Sequence, residues 1–90
     1  MKVRLFADFK EAAGGHSEVY LKMAKTITLR RLIGEMIDRF GEKFREKILR
    51  SNDELREDVM VLVNRKRIIS LDTKIDDEDE VAFLPPASGG

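Results

Sequence analysis

Few side chains in this 90-residue chain are placed to do chemistry, and the best-placed group is not a side chain. The sequence ends Phe83-Leu84-Pro85-Pro86-Ala87-Ser88-Gly89-Gly90. An apolar strand runs out of the fold, meets two prolines and finishes in two residues without side chains. Proline lacks the N–H that a sheet ladder needs, so the pair stops the strand and stiffens the segment beyond it. Glycine lets a backbone pass through gaps where a Cβ would clash. The arrangement suits a terminal carboxylate presented on a narrow stalk to another protein's active site. A frayed end is the competing reading.

The remaining candidates are weaker. His16 is the single histidine and sits in a Gly-rich loop. No Ser or Cys nucleophile is obviously partnered to it, so it reads as an ordinary loop residue. The run Asp76-Asp77-Glu78-Asp79-Glu80 offers hard oxygen ligands. It lacks the spacing and turn glycine of an EF-hand, so a solvated turn is the better reading, with electrostatic guidance toward a basic partner as the second. Arg30-Arg31 and Arg65-Lys66-Arg67 read as solvated helix and turn faces. No phosphate-binding loop, dinucleotide fingerprint or hydrolase motif occurs. The chain does not read as a self-sufficient enzyme.

Composition narrows the classes further. Ninety residues make one domain, and 42% hydrophobic content suffices for one core. Lysine and arginine number 17 and so do aspartate and glutamate, which argues against nucleic-acid binding. There is no cysteine, hence no disulfide, thiolate metal site or thiol nucleophile. The longest apolar run, Val59 to Val63, is far short of a membrane span. Met1 to Leu5 passes straight into an alternating pattern without a signal-peptide core. These features predict a cytoplasmic protein that binds neither membrane nor metal.

The elements that would position the tail can be read from periodicity. Val3, Leu5, Ala7 and Phe9 alternate with Lys2, Arg4, Phe6 and Asp8, predicting a first strand, with Phe6 on its polar side. Glu11 to Ser17 predicts a loop. Val19, Leu21 and Met23 predict a second strand hairpinned to the first. Leu29, Leu32, Ile33, Met36, Ile37 and Phe40 trace one face of an amphipathic helix, with Thr28 as N-cap and Gly41 as terminator. Gly34, costly in mid-helix, predicts a close approach of helix to sheet. Phe44 and Ile48 predict a short second helix within 42–50, and Ser51 to Asp58 a loop. Val59 to Val63, apolar on both faces, predicts the central strand. Asn64 to Arg67 predicts a basic turn, Ile68 to Leu71 a short strand, Asp76 to Asp79 an acidic turn, and Glu80 to Leu84 the last strand. A mixed sheet with one principal helix is an α+β design. The helix crossover is predicted to be right-handed if the strands it joins are parallel. Phe6, Ile68 and Leu84 are apolar residues predicted to leave the core and form a docking patch.

Val3-Arg4-Leu5-Phe6-Ala7, Glu11-Ala12-Ala13-Gly14, Val61-Leu62-Val63-Asn64 and the stretch from Asp77 to Gly90 resemble the small subunit of molybdopterin synthase, a family of ubiquitin-like β-grasp sulfur carriers. The most specific match is the ending: acidic turn, strand, Pro-Pro, two residues, Gly-Gly. The sulfur carrier of thiamine biosynthesis is typically shorter and lacks the Pro-Pro, and ubiquitin has a basic lead-in that is absent here. Two positions depart from the family's pattern: Glu78 stands where Gly is frequent in the acidic turn, and Ala87-Ser88 where Val-Ala is common.

The resemblance implies a β-grasp domain over 1–84, with a four- to five-stranded mixed sheet packed on one principal helix, and a flexible tail over 85–90. It implies that Gly90 is adenylated and then thiocarboxylated, so that sulfur is carried on the main chain. Gly89, Ser88, Ala87, Pro86 and Pro85 would be the inserting stalk, about 20 Å long if extended. The chain would be non-catalytic alone and bind no cofactor. ATP would be used by an activating partner, a ubiquitin-activating-type adenylyltransferase. The large subunit of molybdopterin synthase would take the sulfur for the dithiolene. The same ending also fits a ubiquitin-like modifier joined to lysines through Gly90, or a sulfur carrier for thiamine or tRNA.

Overall fold

Alternating side chains build one sheet here, and the helices cover only one of its faces. A computed structural model describes residues 1–23 and 25–86. The order is β1 (Lys2–Leu5), α1 (Ala7–Ala12), β2 (Glu18–Tyr20), β3 (Thr26–Thr28), α2 (Leu29–Phe40), α3 (Glu42–Ile48), β4 (Met60–Val63), β5 (Lys66–Ile68), β6 (Lys74–Asp76) and β7 (Glu80–Leu84). Five strands form a mixed sheet in the order β2-β1-β7-β4-β5, and β3 pairs with β6 in a separate two-stranded ladder. β1 and β7 run parallel, with Leu5 beside Phe83; the other neighbours are antiparallel.

The inner row of the sheet is Val3, Leu5, Val61, Val81 and Phe83, all fully buried. Against it lies α2, whose Leu29, Leu32, Ile33 and Met36 are equally buried at i, i+3, i+4 and i+7 spacing. Both ends of α2 fall where local chemistry puts them. The Thr28 hydroxyl accepts the Arg31 N–H at 3.1 Å. Gly41, at φ 87°, adopts a backbone that side chains disfavour and donates its N–H to the Ile37 carbonyl at 2.7 Å. Two N–H groups of the first turn, Leu29 and Arg30, donate to the Thr73 and Leu71 carbonyls. α3 closes the core with Phe44 and Ile48, and the Phe44 ring meets Phe83 edge-on at 6.1 Å.

Several sequence expectations change. The first strand does not reach Phe9. It stops at Leu5, because Ala7 turns left-handed (φ 51°) and reverses the chain into α1. Phe9 is buried from that helix, where Ala12 and Ala13 complete an i, i+3, i+4 stripe that simple alternation hides. β2 does pair antiparallel with β1, but α1 and a Gly14–Gly15 turn separate them in place of a hairpin. The second strand ends at Tyr20, and β3 and β6 carry a pairing that periodicity does not reveal. The central strand is β7; β4 is one place further out. The parallel pair is accordingly β1 with β7, and β2 and β4 are not neighbours. The basic turn narrows to Asn64-Arg65, both at positive φ, as a two-residue hairpin loop requires, while Lys66 and Arg67 belong to β5. No close approach explains Gly34, since a Cβ there would meet nothing within 4 Å.

Candidate functional site

β7 occupies the middle of the sheet and carries the chain out at Leu84. Pro85 and Pro86 come next, exposed and outside any strand, as two residues without ladder N–H groups must be. The expectations for Ala87, Ser88, Gly89 and Gly90 lie outside the described residues. Beside the two prolines is an open groove of about 670 Å³ reached by Lys47 and by the Arg56–Asp58 pair. Arg56 holds Asp58 through two hydrogen bonds, of 2.9 and 3.0 Å, and those bonds and its charge keep the Asp58 carboxyl below its ordinary value.

The outer sheet face has no helix over it. Strand alternation places Arg4, Ala82 and Leu62 side by side on that face, since Arg4 pairs with Ala82 and Ala82 with Leu62. One step along, Leu84 pairs with Met60. Phe6, 39% exposed, comes directly after β1 and donates its N–H to the Phe83 carbonyl at 3.2 Å. It therefore stands beside Leu84 at the end of the sheet from which the tail departs. A shallow cavity of about 320 Å³ opens between Phe6, Leu62, Ala82 and Leu84, with Arg4, Arg65 and Glu80 at its edge. The Arg4 guanidinium lies 5.3 Å from the Phe6 ring centre and 3.6 Å from Glu80 Oε1. At the β2 margin, Glu18 takes a 3.3 Å ion pair from Lys2 and a hydrogen bond from the Tyr20 hydroxyl, which lower its carboxyl below the ordinary value, Lys2 contributing most.

The structure brings together two of the three residues predicted for a patch. Phe6 and Leu84 line one cavity. Ile68 does not join them: it pairs with fully buried Val61 and packs against the core, so it belongs to the inner face. The patch expectation omits Leu62 and Met60 of β4, whose signal is a strand apolar on both faces, and Ala82 of β7, whose signal is its alternation with Leu84.

The other candidates have structural roles. Exposed His16 lies 6.3 Å from the Phe40 ring centre. In the acidic turn, Asp79 accepts the Asn64 side-chain N–H at 2.8 Å and the Asp76 backbone N–H at 2.9 Å. Asn64 in turn accepts the Glu80 N–H at 3.0 Å, so the acidic turn and the basic hairpin brace each other. Among the described residues no three His, Cys, Asp or Glu side chains are grouped to hold a metal ion, and no helix is long and apolar enough to cross a membrane.

A family model described as the ThiS family matches residues 3–90. Among solved structures, SAMP1 from Haloferax volcanii is 26% identical, with TM-score 0.83 over 99% of this chain and 97% of that one. A Pyrococcus furiosus protein provisionally named molybdopterin converting factor, subunit 1, is 31% identical, with TM-score 0.75 over 96% of this chain and 95% of that one. The small archaeal modifier protein 1 of Methanosarcina acetivorans is also 31% identical, with TM-score 0.77 over 99% of this chain and 94% of that one. No curated protein sequence matches. These neighbours share the ubiquitin-like β-grasp fold with this chain.

Proposed function

The chain belongs to the ThiS family, and from that premise we propose that it carries sulfur as a thiocarboxylate on Gly90 and donates it to molybdopterin dithiolene synthesis. Its fold is that of the ubiquitin-like sulfur carriers and modifiers. The observation that carries the finer reading is the path of β7. The central strand leads directly into Pro85-Pro86, beside an uncovered apolar face. A partner that grips this face receives the tail at the same time. The likeness to the P. furiosus molybdopterin converting factor subunit favours the molybdopterin branch.

The chemistry arises from the weakness of a carboxylate as an electrophile. A Gly90 carboxylate oxygen attacks the α-phosphate of ATP in the activating enzyme and pyrophosphate leaves. Hydrosulfide then attacks the carbonyl carbon of the acyl adenylate; a C–S bond forms and the C–O bond to AMP breaks. This chain binds no cofactor in the scheme. Its part is to dock through Phe6 and Leu84, and to present Pro85, Pro86, Ala87, Ser88 and Gly89 as a slim stalk whose prolines reduce the ordering cost of insertion. The partners are an adenylyltransferase of the ubiquitin-activating type and the large subunit of molybdopterin synthase. The likeness to two archaeal modifier proteins favours one second reading, in which the same adenylate passes to a lysine amine and forms an isopeptide bond.

The test is intact-mass measurement after incubation with the adenylyltransferase, ATP and sulfide. The full chain is expected to gain the mass of an oxygen-to-sulfur exchange. The chain lacking Gly90 is expected to gain nothing while keeping its circular dichroism, because the buried core ends at Phe83. A shortened chain that still acquires sulfur refutes the mechanism. Lysine adducts ending in Gly-Gly in digests of the native lysate, without a dithiolene product, would favour the modifier.

A further inference from the structure

Taking docking through the outer sheet face as its basis, we propose that the activating partner meets that face with an apolar ridge flanked by carboxylates, and that Ile69, Arg65 and Arg67 select it. The register sets out the rows. At the tail end, Phe6 stands beside Leu84, and Leu84 pairs with Met60. β5 pairs with β4 by placing Arg67 opposite Leu62 and Ile68 opposite Val61. Continuing that register by one residue brings Ile69 level with Met60. Ile68 turns inward, so alternation sends Ile69 outward, and it is 79% exposed, more than either Phe6 or Tyr20. An apolar row therefore runs from Phe6, just past β1, over Leu84 of β7 and Met60 of β4 to Ile69, just past β5, at the end where the tail leaves. An exposed β-branched residue at the end of such a row has an anchoring role that a scattered surface apolar does not.

The next row is closed by charge. Arg4, Ala82, Leu62 and Arg67 lie across the sheet in that order, with Arg65 at the cavity's edge from the hairpin loop. Of these arginines, Arg4 is balanced by Glu80. Among the described residues, Arg65 and Arg67 have no ion-pair partner. Asn64 at the same hairpin is bonded to Asp79 and Glu80, which braces the backbone turn from which the two arginine side chains leave. An unbalanced pair of arginines beside an apolar row fits carboxylates on the facing protein, and such rim charges govern encounter rate and partner choice.

The experiment titrates the full chain with the adenylyltransferase at low and high salt, and monitors thiocarboxylation by mass in the same samples. R65E/R67E is expected to raise Kd roughly tenfold and to flatten the salt dependence. Ile69→Ser is expected to weaken binding at both salt concentrations. R39E/K43E, the same charge change on the helical side, is expected to bind like wild type. Matching melting curves for all variants confine the effects to the surface. Equal affinity of R65E/R67E and wild type overturns the proposal, as does an equal loss in R39E/K43E or no binding by wild type. A wild-type chain that docks with this charge dependence yet gains no sulfur supports the surface and overturns the carrier reading.

Discussion

Phe6 owes its position to its neighbour. An unbroken strand would have carried the chain onward past Leu5, but Ala7 at φ 51° turns it into α1 and leaves Phe6 extended at the sheet's end. A left-handed alanine costs roughly 1 kcal/mol or more, which the fold tolerates at the margin of its exposed face. The charges nearby make a pH prediction with a definite sign. Glu18 is held below its ordinary 4.5 by Lys2, and Asp58 below 3.8 by Arg56. A depressed carboxyl stabilises the fold above its unfolded value, and that contribution is lost as pH falls through the folded one. The melting temperature of wild type minus that of Glu18→Gln is therefore expected to be small, positive and constant near neutrality, and to vanish as pH drops below 4.5. High salt should shrink it throughout, because the pair lies at the surface with both side chains partly open to solvent. A difference that stays constant into strong acid would remove this account.

Among the elements, α2 shows most clearly what is local. Its stripe, its Thr28 cap and its Gly41 stop each act within one turn. Gly34 is the exception. A methyl group there would meet no neighbour within 4 Å, and the site borders a groove floored by Ile33, Ile37, Leu49 and Leu71. Gly34→Ala is accordingly expected to stabilise the protein by up to ~1 kcal/mol, seen as a higher urea midpoint with an unchanged slope. Destabilisation would mean that the helix needs the bare position. The β4–β5 hairpin shows the opposite dependence. Its positive-φ residues are Asn64 and Arg65, without the usual glycine, and side-chain bonds from the distant acidic turn support it.

For the whole molecule, the division of the sheet's two faces is what matters. Three helices cover the inner face, so the aromatic rings meet on one side: Phe40 to Phe44 at 5.9 Å, then Phe44 to Phe83 at 6.1 Å. Phe44→Ala is expected to cost about 3–5 kcal/mol, a large share of the stability of a domain this size, and to lower the melting temperature sharply. A loss under about 1 kcal/mol would show that α3 is an accessory rather than part of the core. The outer face carries no such load. Substitutions there, at Ile69 or Arg67, should act on partners and leave the melting curve where it was.

The sequence alone determined what depends on neighbours along the chain. Periodicity defined α2 and the last strand, capping chemistry fixed the helix ends, and the prolines and glycines marked the tail and, with the motifs around it, a ubiquitin-like sulfur-carrier fold. Tertiary pairing decided the rest. Nothing local says that β7 lies between β1 and β4, that Thr26–Thr28 pairs with Lys74–Asp76, or that Ile68 faces inward while Ile69 faces out. In a strand, one residue of register exchanges the two faces, and register is set by partners far away in sequence. Which apolar residues form the core and which lie on the uncovered face is therefore a property of the assembled sheet.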